Sequence, residues 1–200
     1  MGIKLEYPAG ATPLDPDEAK ALVASHITNQ GQLNEWEFLN VREGERWAFE
    51  KKHENILSTE FMQMLHKRMF GDTWGWAGEI RTKETLPVGV PPERIRTELK
   101  KLWEDVTAQL QNGGWSIQEI AARFHHRLVS IHPFPNGNGR FSRTMTDLLL
   151  IREGKDRFTW GADLDHDGEA RGRYIAALRA ADTKNCAPLF ALLQLPENEE

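Results

Sequence analysis

The chain of 200 residues contains a single cysteine, Cys186. One thiol excludes an internal disulfide framework and fits a reducing compartment. In "TKNCAPLF" it reads as a small, half-buried residue ahead of a helix rather than a nucleophile. No apolar run approaches membrane-spanning length. The opening "MGIKLEYPAGATPLDPDEAK" lacks a signal-peptide apolar region, and "MGIKLE" lacks the Ser or Thr of a myristoylation site. The expectation is a cytoplasmic protein with no membrane partner. No basic run or stripe occurs, and the formal net charge is -5, which argues against a nucleic-acid surface. Acidic and basic residues interleave instead, as in "LKKLWEDV", the pattern of solvated helix faces. No repeat with a period of roughly 20–50 residues is visible.

What is present is helical. Hydrophobic residues make up 40% of the chain, enough for one domain with a sizeable core. Residues 1–16 read as an extended arm rich in Pro, Gly and Ala, and "DPDEAKALVASHI" as a helix with Asp15 at its N-cap. "GQLNEWEFLNVREGERWAFEKK" places Leu33, Trp36, Val41, Trp47 and Phe49 at helical spacing. Ser58 starts another helix, with Phe61, Met64, Leu65 and Met69 on one face. "GDTWGWAGEIRTKETLPVGVPPERI" breaks the period. Residues 80–91 read as extended, a short hairpin turning near Glu84 to Pro87, with Trp74 and Trp76 bracing its base. Helices resume at "PPERIRTELKKLWEDVTAQL" and at "SIQEIAARFHHRLVSIHPF", where Ser116 and Glu119 stand in capping-box register. "RFSRTMTDLLLIREG" is a central apolar helix ending at Gly154. "ARGRYIAALRAAD" and "APLFALLQL" close the chain. The class is mostly α, seven or more helices with a minor β element.

The chemistry concentrates in "HPFPNGNGRFSR", residues 132–143. It joins two helices, so its glycines sit where the second begins. A helix N-terminus offers unpaired N–H groups and a partial positive charge, which suit phosphate oxygens. Gly137 and Gly139 permit positive φ and close approach of an anion. Arg140 and Arg143, three apart, share a face of the following helix near that turn. His132 is placed to act as a general base for a hydroxyl. Phe134 anchors the loop, and Asn136 and Asn138 offer amide groups to a metal or to phosphates. These residues leave two readings open, an ordinary interhelical loop and a phosphate site. No Lys-Ser/Thr pair follows the glycines, so the Walker pattern is absent. The acidic "DLDHDGEA" has EF-hand-like order, but Tyr174 stands where a Ca²⁺ loop needs its closing Glu. Adjacent His125 and His126 point different ways on a helix and do not share a metal.

"HPFPNGNGRFSR" resembles the core motif of the Fic family, His-x-Phe-x-Asp/Glu-Gly-Asn-Gly-Arg-x-x-Arg. "LHKRMFGDTWGWAGEIRT" is similar to the family's upstream signature, and "GRYIAALRAAD" with "APLFALL" to its closing helices. The resemblance spans about residues 55 to 193, and the chain, including "SHITNQGQLNEWE", is similar to the subgroup called mobile mystery protein B. It implies a Fic-type helical bundle with a short β-hairpin flap, a catalytic domain over 51–200, and an N-terminal arm and helices over 1–50 as a regulatory segment. The implied reaction moves AMP from ATP to a Ser, Thr or Tyr hydroxyl of a target protein, itself included. His132 would be the base, Gly137, Asn138 and Gly139 the anion hole, Arg140 and Arg143 the grips on the β- and γ-phosphates, and Phe134 the anchor. The target would dock at the flap, residues 82–91, leaving the oligomeric state open. Asn136 stands where the family has an Asp or Glu ligand for Mg²⁺. Mg²⁺ favours anionic oxygen, so slow catalysis, transfer of another phosphate-linked group, or nucleotide binding without turnover are the alternatives. Some members inhibit themselves through a Glu paired with the second motif arginine. "TNQGQLNE" resembles a degenerate version, which makes Glu35 the candidate partner of Arg143, with Glu37 and Glu43 also available.

Overall fold

A computed structural model describes residues 16–85, 88–160, 164 and 168–195. Among these residues the helices are α1 (Pro16–Ala19), α2 (Gln30–Glu50), α3 (Thr59–Phe70), α4 (Ile95–Asn112), α5 (Ile117–Ile131), α6 (Asn138–Arg152), α7 (Gly168–Asp182) and α8 (Ala187–Leu192). Side-chain oxygens set several starts. Asn29, Ser58 and Ser116 accept from the backbone N–H of Gln32, Phe61 and Glu119 at 3.0, 3.2 and 3.1 Å, each satisfying a donor that the first turn leaves without a helical partner. The reciprocal half of the capping box does not form at α5, because the Glu119 carboxylate pairs with Arg123 at 2.7 Å.

α6 is the central element. Phe141, Met145 and Leu149 are fully buried, with α5 on one side and α2 and α3 on the other. The principal core runs from α2 through α6. A second cluster joins α7 and α8 to Ala122 of α5 and to Trp160. α2 crosses α3 at Gly44, where an added Cβ would lie 2.7 Å from the Cα of Met69. Only a residue without a side chain lets the two backbones come this close.

The structure departs from three expectations. The first helix is short, because Val23 N–H donates to the Thr73 carbonyl at 2.9 Å and Gly75 N–H to the Ala21 carbonyl at 2.8 Å, diverting the chain into an isolated bridge. Asp15 lies outside the described residues. Met64 is 43% exposed, and Met62 is buried in its place. No strand forms among the described residues of 80–91, so the β-hairpin is not found there; Leu86 and Pro87 of its turn lie outside them. A side chain organises this segment instead. Arg81, 3% exposed, donates to the carbonyls of Lys83, Val90 and His132 at 2.9, 2.5 and 2.6 Å. Trp74 and Trp76 stack on each other at 5.4 Å ahead of this segment.

Candidate active site

α5 ends on His132, which takes the left-handed conformation at φ 53°. A non-glycine residue there is unusual and marks a constrained position. Segment 80–91 holds it down. Arg81 N–H donates to the Pro133 carbonyl at 3.0 Å and Val90 N–H to the Ile131 carbonyl at 3.3 Å. Gly89 passes so near that an added Cβ would lie 3.1 Å from His132 Cβ and 2.5 Å from Arg81 Nη2. His132 is 8% exposed, and neither ring nitrogen has a hydrogen-bond partner. Burial, then the Arg81 charge, lowers its pKa to about 4; the Val129 carbonyl opposes this without reaching hydrogen-bond geometry. At neutral pH the imidazole is therefore uncharged and able to accept a proton.

The loop beyond is built as a rigid turn. Asn138 closes it on itself, its amide oxygen accepting from Phe134 N–H at 3.0 Å and its amide nitrogen donating to the Phe134 carbonyl at 2.7 Å. The Asn138 side chain is thereby committed to the loop, so only its backbone N–H is offered at the turn. Phe134 is fully buried against His66, ring centres 3.7 Å apart, and meets Phe141 edge-on. His66, on α3, receives the Gly78 N–H at Nδ1 (3.0 Å) and donates from Nε2 to the Asn136 carbonyl at 3.1 Å. Burial pushes its pKa to about 3, so this neutral tautomer persists. The sequence shows His66 in the upstream signature, but its role appears only when α3 is brought against the loop.

Gly137 has φ 77°, and a Cβ there would strike the Phe70 ring at 2.6 Å. Asn136 caps the Gly137 N–H with its own amide oxygen at 2.6 Å. The first bond of α6 runs from Phe141 N–H to the Gly137 carbonyl at 3.0 Å, so the amides of Gly139 and Arg140 have no acceptor within the helix. At Gly139 an added Cβ would meet nothing nearer than Arg143 Nη1 at 3.9 Å. The protein's own packing therefore does not demand a glycine at Gly139, whereas approach of an anion would.

The two arginines differ in their surroundings. Arg140 sits over the Phe70 ring at 4.9 Å and pairs with Glu37 Oε2 at 2.5 Å. The other Glu37 oxygen accepts from Trp74 Nε1 at 2.7 Å. Arg143 lies 6.0 Å over the Tyr174 ring. The expected Glu35–Arg143 pair is thus replaced by Glu37–Arg140. Glu35 is exposed and has no ion pair or hydrogen bond among the described residues. Helical phase explains the change: Glu37 follows Leu33 by four residues and precedes Val41 by four, on the buried stripe, while Glu35 lies about 200° away. Glu43 pairs with Arg46 at the surface.

Asp163, Asp165 and Asp167 lie outside the described residues. His125 and His126 do diverge, toward Tyr174 and Asp182. Cys186 is half-buried beside Arg123.

Residues 56–150 match the Fic/DOC family model. The chain carries a Fic/DOC domain. It is similar to protein adenylyltransferase fic-1 of Caenorhabditis elegans, 31% identical over 69% of this chain and 26% of that protein. It thus spans about a quarter of the length of that relative. A relative of similar length from Sinorhizobium fredii, "Probable protein adenylyltransferase y4lH", is 27% identical over 84% of this chain and 85% of its own. The mostly helical Fic-type fold is shared with the ADP-bound N-terminal Fic domain of a VirB-translocated Bep effector protein from Bartonella quintana. That likeness has a TM-score of 0.65 and 25% identity, covering 85% of this chain and 86% of that one. Among the described residues no helix is long and apolar enough to cross a membrane.

Proposed function

We propose that this Fic domain is a protein adenylyltransferase of the mobile mystery protein B type, moving AMP from ATP to a Ser, Thr or Tyr hydroxyl. The observation that carries the reading is a neutral His132 with both ring nitrogens unpartnered, next to a helix N-terminus followed by Arg140 and Arg143. The hydroxyl oxygen forms a bond to the α-phosphorus. The bond from that phosphorus to the bridging oxygen breaks, pyrophosphate leaves, and the hydroxyl proton passes to a ring nitrogen of His132. A bound polyphosphate would raise the pKa of His132 from its depressed value toward the working range, because the anion favours the imidazolium. The amides at Gly139 and Arg140 and the two guanidiniums would hold the phosphates in line.

Among the described residues no resident Mg²⁺ site is formed. Asn136 supplies one neutral oxygen, already accepting from Gly137, and no group of three or more His, Cys, Asp or Glu able to hold a metal occurs among the described residues. Segment 82–91 is read as the edge along which a target chain lies, in the manner of strand addition. The Glu37–Arg140 pair is read as a restraint, with residues 1–50 as its carrier, because a carboxylate on Arg140 occupies the group that would hold the β-phosphate.

The test is incubation with α-labelled ATP and a cell lysate. Label on protein, lost in His132→Ala while ATP affinity stays within a few-fold, supports the reading. Full labelling by His132→Ala would sink the mechanism.

A further inference from the structure

Arg143 projects one turn beyond Arg140, and its guanidinium lies against Tyr174 of α7, a buried residue that the motif does not contain. The Tyr174 hydroxyl is 2.8 Å from Nε2 of His125, which is fully buried on α5. The Nδ1 of His125 lies 3.4 Å from Thr146 Oγ1.

The partners of this chain of bonds set its direction. Thr146 Oγ1 donates its proton to the Ser142 carbonyl at 2.8 Å, so toward His125 it only accepts. An acceptor therefore faces Nδ1, which carries the hydrogen. Burial and then the Arg143 charge lower the His125 pKa to about 3, so the ring is neutral and Nε2 is an acceptor. Tyr174 consequently donates its hydroxyl proton to Nε2. Its lone pairs are left for a cation, and Arg143, whose guanidinium lies 6.0 Å over the ring, opposes by its charge the upward push that burial exerts on the phenol. Trp160 packs on the other side of the imidazole at 4.5 Å and limits its rotation.

We propose that Tyr174, oriented by His125, is a positioning residue that fixes the Arg143 guanidinium for the terminal phosphate of a nucleoside triphosphate. This rests on the nucleotide reading above. Three helices contribute to the arrangement: α5 supplies the acceptor, α7 the phenol and α6 the cation. A phenol locked as donor in one direction presents a fixed acceptor in the other, which holds a long, flexible side chain better than packing alone.

Equilibrium binding of ATP and ADP to the whole chain tests this. The wild type should prefer ATP, and Arg143→Ala should abolish the preference. Tyr174→Phe keeps the ring and should reduce the ATP-over-ADP ratio by roughly five-fold, with ADP affinity within two-fold, as loss of one contact to a charged group implies. His125→Gln should move the ratio the same way. Added to Arg143→Ala, Tyr174→Phe should produce no further change. Equal weakening of ATP and ADP, or an undiminished ratio in Tyr174→Phe, would overturn the proposal. If Tyr174→Phe does not fold, His125→Gln decides by the same ratio. A wild type that binds both nucleotides without preference removes the terminal phosphate from Arg143 and overturns the proposal alone. A wild type that binds neither sinks the nucleotide reading, and this role with it.

Discussion

Arg81 Nε donates to the carbonyl oxygen of His132 at 2.6 Å, which ties a buried guanidinium to the backbone of the candidate base. The same side chain spans to Val90, so one residue fastens Val90 to the end of α5 and adds its charge to burial in depressing the pKa of His132. Arg81→Ala should cost about 2–4 kcal/mol, since several buried carbonyls lose their donor. It should also move the His132 pKa from about 4 toward the unperturbed value of ~6.5. An NMR titration of the ring protons reads this directly, and a pKa that stays near its wild-type value would show that Arg81 does not control the base.

Glu37→Gln should raise labelling from ATP several-fold, because it removes the charge that holds Arg140. Glu35→Gln should leave the rate unchanged. Arg140→Ala should lower it, and Glu37→Gln should not rescue that loss. If the two glutamate substitutions behave alike, Glu37 is a structural partner of Trp74 and Arg140 rather than a restraint.

The two glycines of the loop should separate cleanly. Gly137→Ala combines a positive φ with a clash against Phe70 and should destabilise the fold by about 2–4 kcal/mol. Gly139→Ala meets nothing nearer than 3.9 Å. It should leave the melting temperature nearly unchanged while weakening ATP binding. Equal losses of stability in both would show that Gly139 serves packing, not the ligand.

Stability should fall as the pH is lowered from about 7 to 5. The pKa values of His66, His125 and His132 are lowered to about 3, 3 and 4. Below the unfolded-state value of ~6.5 the unfolded chain takes up protons that the folded one refuses. Each such group contributes up to about 1.4 kcal/mol per pH unit. Asp147 acts the other way, because its pKa is raised to about 6 and protonation below that favours the folded state. Three groups outweigh one. Denaturant titrations at several pH values check the sign, and a stability that rises on acidification would refute it.

The helices and the turn between α5 and α6 were legible because they depend on local signals. Capping serines, apolar spacing and a contiguous motif are all short-range. What was not legible depends on neighbours distant in sequence. Arg81 and His66 act on His132 and Asn136 from 51 and 70 residues away. The choice of Glu37 over Glu35 follows from helical phase and could have been read from the Leu33–Glu37–Val41 stripe. Its choice of Arg140 over Arg143 needed the packing of α2 on α6. The short first helix was hidden because the bridge from Leu22 to Trp74 is a long-range backbone pairing that propensity does not encode.

The contact of Gly44 with Met69 bears on how the site could be switched. α2 carries Glu37 two turns before Gly44, and α3 carries Phe70, the floor beneath Arg140, immediately after Met69. With the two backbones in van der Waals contact, α2 and α3 behave as a single beam, and Glu37 cannot be withdrawn by lifting its helix without also moving the floor. Release of Arg140 is then a rotation of one side chain, which belongs to a nanosecond regime rather than the microsecond-to-millisecond regime of helix displacement. Relaxation dispersion on the α2 amides should accordingly be flat, and the balance between paired and free Arg140 should be set by whatever anion competes for it, not by a slow conformational clock.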